Sequence, residues 1–321
     1  AERVRAEESL DKITDDQLIS AQLHISNHWV SEEEFKPLRN AVQRELIRRP
    51  AAYANFARLA IEPSLKKRSE HISGLHEIIS EPWDKSLAIE LALEWLNKYP
   101  RMHGRPEEAM IDLLLKEAKF NELLTVSLRR LKSKVLTEER QRNWLAVLLL
   151  VDFSKGKKRL DGISKRDRDM LWTIRARLGG RRMDAVTENV VTEIAAWIVD
   201  EFRETFPITN RPSGVTSGDV NPWDASDYLS RLIDRVGSDI SDEAKSAIDF
   251  LAKTNDGYRD RILSVKAEQK RKRAEQQFVL FEKTEVAAIL TDSEPESLPD
   301  LQTHLLQLLD LVEAQVRSND T

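Results

Sequence analysis

Six histidines and fifty-five carboxylates give this 321-residue chain material for acid–base or metal chemistry, so their spacing decides what they could do. His24 and His28 stand four apart, which puts both on one helical face, as two zinc ligands would stand. His76-Glu77 opens a match to HExxH, but residue 80 is Ser, so the second imidazole is missing. No histidine has a glutamate three residues before it, which removes the di-iron ExxH pattern. Gly156-Lys157-Lys158 lacks the leading glycine and the hydroxyl of a phosphate loop. Gly214-Val-Thr-Ser-Gly218 puts Thr where a nucleophile elbow needs Ser. Zero cysteines remove disulfides, thiolate zinc sites and thiol nucleophiles together. The expectation is no catalytic residue, no metal and no cofactor, and the sequence makes no positive case for an enzyme.

The chemistry that remains is electrostatic. The net charge of −5 hides an asymmetry, because Arg129 to Arg182 holds 17 Lys+Arg against 6 Asp+Glu. That stretch has a balance of +11 and leaves −16 for the rest of the chain. Lys155, Lys157, Lys158, Arg159, Lys165, Arg166, Arg168, Arg175, Arg177, Arg181 and Arg182 form the candidate nucleic-acid surface, able to neutralise phosphates. Trp172 lies among them and could stack on a base, although its spacing with Leu171 and Ile174 also suits a core position. A second basic run, Lys266, Lys270, Arg271, Lys272 and Arg273, is spread around its helix and interrupted by Glu268 and Glu275, which suits solvation.

The elements that would position these charges read as helices throughout. Leu93, Trp95 and Leu96 on one helix precede Met110, Leu113 and Leu114 on the next. Thirty-five residues later come Leu128 and Leu131, then Leu145, Leu148 and Leu149. Thirty-five residues earlier come Ile61, then Leu75, Ile78 and Ile79. Positions i, i+3 and i+4 share one face, so each second helix presents the same apolar ridge. One pair cannot bury such a ridge, whereas stacked copies can. The spacing therefore predicts an all-α fold with a superhelical array of helix pairs, TPR-like or HEAT-like, over residues 1–206.

In order, helices are expected through Phe35 to Leu46 behind a Ser31–Glu34 capping box, over Ala51 to Ile61 with Pro63 past its end, and over Ser64 to Ile79. Asp84 to Lys98, Pro106 to Lys116, Phe120 to Leu131 and Thr137 to Val151 follow. KGKKRLDGISKRDRD reads as a charged loop or broken helix, then come a short helix from Leu171 to Leu178 and a long one from Asp184 to Phe206. Residues 207–222 hold three of eleven prolines and two of ten glycines, the composition of a linker. A smaller helical domain, 223–321, is expected beyond it. Its helices are Asp224 to Val236, Ser241 to Ala252, Tyr258 to Phe278, Val286 to Leu290 and a last one from Leu301 to Val316.

Ten Gly, 6% aromatic and 33% charged residues suit helices with solvated outer faces and argue against a sandwich, barrel or parallel sheet. The longest apolar run, Trp144 to Val151, has core length and not membrane length. The opening AERVRAEESLDK has no apolar signal region, so a cytoplasmic address and no membrane partner are the expectation. A start without Met and a polar RSNDT end suggest a segment of something larger.

Three stretches carry a resemblance: NPWDASDYLSRLIDRVGSDISDEAKSAIDFL, YRDRILSVKAEQKRKRAEQQF and PESLPDLQTHLLQLLDLVEAQVRSNDT. Together, from Asn221 to Thr321, they resemble the C-terminal helical region of bacterial STAND-type (NACHT-like) defence NTPases. Pro222, Trp223, Asp224, Asp300 and Leu301 are its marked residues. The resemblance implies a helical sensing region of an antiviral protein, with a protein partner. No catalytic residue is carried over, because the chain lacks the NTPase loop and any nuclease core. The competing expectation is a nucleic-acid-binding repeat using residues 155–182.

Overall fold

A computed structural model describes residues 10, 12–27, 32–133, 136–161, 167–178, 190–210, 222–278 and 306. Among these residues every regular element is helical. The elements are α1 (Asp15–Asn27), α2 (Glu32–Ile47), α3 (Pro50–Lys66), a π-helical turn (His76–Ser80), α4 (Lys85–Lys98), α5 (Gly104–Lys116) and α6 (Phe120–Arg130). They continue with α7 (Glu138–Val151), α8 (Phe153–Leu160), α9 (Asp169–Arg177), α10 (Thr192–Phe202), α11 (Pro222–Ser238), α12 (Asp242–Leu251) and α13 (Arg259–Phe278). Helices pack on their sequence neighbours and on the helix after that: α1 on α2 and α3, α4 on α5 and α6, α7 on α8 and α9, and α11 on α12 and α13.

Local chemistry fixes where several of these helices start and stop. Asp84, Thr137 and Ser241 each accept a hydrogen bond from a backbone N–H three residues on, satisfying a donor that the first turn would leave unpaired. Two helices end in left-handed residues that are not glycine, Arg68 at φ 58° and Ala118 at φ 52°. Beyond them Ser69 N donates to Ser64 O at 3.0 Å and Lys119 N to Leu114 O at 2.9 Å, the Schellman closure of a helix C-terminus.

The expected helix from Ser64 to Ile79 is therefore two separate pieces. α3 runs through Pro63, which lies inside it and not past its end, and closes at Lys66. The chain then turns through Arg68 and Gly74 (φ 78°) before the π turn, where Glu81 N bonds to His76 O at 2.8 Å. A second correction concerns KGKKRLDG, expected as loop or broken helix. Residues Phe153–Leu160 form α8, capped by Asp152 accepting from Lys155 N. The long helix expected from Asp184 is described as Thr192–Phe202; residues 181–189 and the helices expected after Phe278 lie outside the described residues, apart from Leu306, which is helical and exposed.

The ridge residues are buried on all three elements: Leu75, Ile78 and Ile79; Met110, Leu113 and Leu114; Leu145, Leu148 and Leu149. Two apolar cores result, one running from Leu18 to Val147 and the other from Leu145 to Ile262. α7 serves both. It buries seven consecutive residues, Asn143 to Leu149, sending Trp144 and Val147 into the first core and Leu145, Ala146 and Leu149 into the second. A helix apolar all round must be enclosed on all sides, and α6, α8 and α9 supply the enclosure.

The second core is continuous across residues 207–222, since α10 packs against α11 and α12. Polar ties add to it: Tyr258 Oη donates to Phe206 O at 2.7 Å, and the buried Arg203 donates to Leu251 O at 3.0 Å. Residues 211–221 of the expected linker lie outside the described residues.

α8 meets α7 almost backbone to backbone. A Cβ added at Gly156 would fall 2.6 Å from Leu149 N, on a main chain that cannot rotate away. Gly156→Ala should therefore destabilise the protein by about 1–3 kcal/mol through overpacking, although Ala is favoured over Gly in a helix by about 1 kcal/mol. Urea denaturation reads the sign, and a raised midpoint would refute the close approach.

Candidate binding groove

These elements build an open groove of about 760 Å³ between the π turn and α5. His76, Ile79, Ser80, Pro82 and Lys85 form one wall. Arg105, Glu108, Ala109, Asp112, Leu113, Lys116 and Glu117 form the other. The second set is one helical face, because residues three and four apart stack above one another. The opposite face of α5, Glu107, Met110, Ile111 and Leu114, is buried.

Three helices hold α5 from behind. Glu107 is 2% exposed and accepts from Arg140 Nε at 2.8 Å and Nη2 at 2.7 Å. Arg130, also buried, puts its Nε 3.3 Å from the same carboxylate without hydrogen-bond geometry, and donates through Nη2 to Leu96 O at 2.6 Å. Its guanidinium lies 5.8 Å from the Trp144 ring. Burial pulls Arg130 below the usual arginine range, outweighing the opposite pull of Glu107.

The groove's charges are mostly paired within the chain. Arg177, its side chain 6% exposed, reaches from α9 to Asp112 at 2.6 Å and to Glu108 at 3.2 Å. Asn143 Nδ2 also donates to Glu108 at 2.7 Å, and Lys85 pairs with Glu117 at 2.7 Å. Desolvation raises the Asp112 carboxyl, with Arg177 pulling the other way. Yet the Asp112 side chain is 57% exposed, so the crowding is that of a concave wall open to solvent. Arg105 Nη1 lies 2.6 Å from His71 Nε2 and 3.9 Å from Glu70. A guanidinium only donates, so His71 accepts there.

The eleven basic residues expected to form one surface take up different roles. Lys155, Lys157, Lys158 and Arg159 are exposed on α8, with Lys155 paired to Asp152 and Lys157 5.7 Å from the Phe153 ring. Arg168 is exposed and lies 5.0 Å from the Phe206 ring. Arg175 is half-buried between the rings of Trp172 and Tyr228, and Arg177 turns into the ion pairs on α5. Trp172 stands edge-on to Phe206 at 6.4 Å, a packing role. Lys165, Arg166, Arg181, Arg182 and His28 lie outside the described residues, and His24 is exposed on α1.

Glu107 was not among the residues singled out in the sequence. The signal was its register: it stands three before Met110 and seven before Leu114, on the apolar stripe of α5. No cluster of three His, Cys, Asp or Glu able to hold a metal occurs among the described residues, and no described helix is long and apolar enough to cross a membrane.

Removing Glu107 would leave Arg130 buried without its carboxylate. Glu107→Ala should cost about 3–5 kcal/mol, the usual penalty for stranding half of a buried ion pair. Chemical denaturation measures it, and a loss under 1 kcal/mol would place the network at a solvated edge. No family model matches the chain, and no curated protein and no solved structure matches it.

Proposed function

We propose that the chain is a non-catalytic array of stacked helix pairs that binds a protein partner on its surface. The observation that carries this reading is the recurrence of polar contacts about one helix pair apart. Arg58 pairs with Glu94, 36 residues away, and Lys98 with Glu62, also 36 away. Arg130 bonds to Leu96 O across 34 residues, Arg140 to Glu107 across 33 and Asn143 to Glu108 across 35. In the second half Gln269 reaches Val236 O and Arg273 reaches Ile240 O, each across 33. Over the first half this near-constant separation supports stacked quasi-equivalent units. In the second half other ties span 27 (Arg261 to Asp234), 48 (Arg203 to Leu251) and 52 (Tyr258 to Phe206) residues. The resemblance over Asn221 to Thr321 supports assigning the array to the sensing region of a STAND-type antiviral NTPase.

Deleting one period tests the architecture. Removing residues 86–120 joins the start of α4 to the start of α6 in phase. A stack should lose stability but remain helical and cooperative, because each unit contacts chiefly its neighbours. Circular dichroism showing an unfolded product would end the reading.

A second reading, nucleic-acid binding, is favoured by the exposed Lys157, Lys158 and Arg159 on α8. Fluorescence anisotropy of a labelled oligonucleotide against salt separates the two. Phosphate neutralisation gives affinity that falls steeply with salt. The favoured reading expects only weak binding at low salt. Tight, salt-sensitive binding lost on reversing these three residues to Glu would replace it.

A further inference from the structure

We propose that the outer side of α13 is the docking face for this chain's own C-terminal stretch, the amphipathic helix expected from Leu301 to Val316, which closes the last helix pair. The inference goes beyond the reading of the chain as a protein-binding array and does not depend on it.

α13 carries apolar residues on two sides. One side packs on α11 and α12, with Ile262 fully buried, Gln269 2% exposed and Val265 against Gly237. A second row, Leu263, Ala267 and Ala274, spans about 40° on the other side of the helix. Leu263 is 42% exposed and Ala267 is exposed, so no described element covers the row. One exposed leucine is ordinary, whereas a row in register on the last described helix is a packing face.

Three observations name the occupant. The first is a matching stripe: Leu301, Leu305, Leu308, Leu309, Val312 and Val316 fall within about 100° of one helical face. Leu306, the one described residue of this stretch, is helical and exposed, and its position lies about 60° beyond the edge of that arc.

The second is charge. Residues 279–321 hold nine Asp+Glu and two Lys+Arg, so they carry −7 while the 278 residues before them carry +2. α13 itself holds seven Lys+Arg against three Asp+Glu. Lys270, exposed beside the apolar row, pairs with no carboxylate among the described residues. Four acids and no base stand between Thr291 and Asp300, just ahead of the stripe. A helix laid antiparallel on α13 brings them to the end that carries Lys270 to Arg273. Complementary charge of this kind fixes direction and register more than it adds affinity.

The third is reach. Twenty-two residues separate Phe278 from Leu301, ample for the chain to turn back. Such a tether gives an effective concentration in about the millimolar range, which favours the chain's own stretch over a second copy. The expected helix is about 24 Å long and the row on α13 about 16 Å, so one covers the other.

The chain has no cysteine, so one introduced thiol is a unique probe. Ala267→Cys places it on the face, and Ser246→Cys, exposed on α12, is the control. In the full chain the Ala267→Cys thiol should react with N-ethylmaleimide about tenfold more slowly than after Leu305→Asp/Leu309→Asp is added. Leu306→Asp, off the stripe, should leave the slow rate in place, and the Ser246→Cys thiol should react at one rate in all these backgrounds. Equal rates at Ala267→Cys with and without the stripe changes, equal release by Leu306→Asp, or a parallel rise at Ser246→Cys would overturn the proposal. Protection that grows with protein concentration would overturn it in favour of a second copy as the occupant. The one-period deletion is read separately, so the docking face can fail while the array reading stands.

Discussion

One carboxylate constrains the middle of this protein. Glu107 is enclosed on the apolar face of α5, where Arg140 and Arg130 meet its carboxylate from α7 and α6. Moving an ion from water into a protein interior costs several kcal/mol, and an ion pair recovers that cost only with good geometry and further hydrogen bonds. Arg130 finds such a bond at Leu96 O on α4, and Arg140 finds one at Pro100 O. A sliding movement of α4, α5, α6 or α7 would leave one of these groups unpaired. Apolar packing alone tolerates small slips, so the network specifies register where the ridges of leucine specify only proximity.

Register matters because α7 is shared. Its seven consecutive buried residues connect two cores that would otherwise be separate. Side chains 100° apart on this helix answer to different neighbours, Trp144 to the first core and Leu145 to the second. Gly156 then lets α8 lie directly on the main chain of Leu149. The same device recurs at Gly237, where an added Cβ would collide with Val265 of α13. Close contact at these points leaves α8 and α13 little freedom to shift, and fixes which of their charged residues face solvent.

Positive charge is then distributed by packing and not by sequence density. Among the residues from Lys155 to Arg177, those on α8 face solvent, while Arg177 is absorbed by Asp112 and Glu108. Arg177 thereby meets two carboxylates of the groove from a separate helix. The contact with Asp112 spans 65 residues of the chain.

The sequence by itself determined the helical class, since few glycines, abundant charge and an i, i+3, i+4 pattern admit little else. It also determined which residues would be buried on the ridges, and where Asp84, Thr137 and Ser241 would open helices, because capping and amphipathic burial depend on neighbours within one or two turns. It misread Ser64 to Ile79 as one helix, because the left-handed turn at Arg68 lacks the glycine that usually marks it. It missed α8 because a run of lysines around one glycine resembles a loop until α7 covers that glycine. The direction of Arg177, the choice of Arg140 and Arg130 as partners of Glu107, and the groove were decided by tertiary structure alone. Each depends on the charge of a residue 23 to 69 positions away, and no local pattern records which distant partner a side chain will meet.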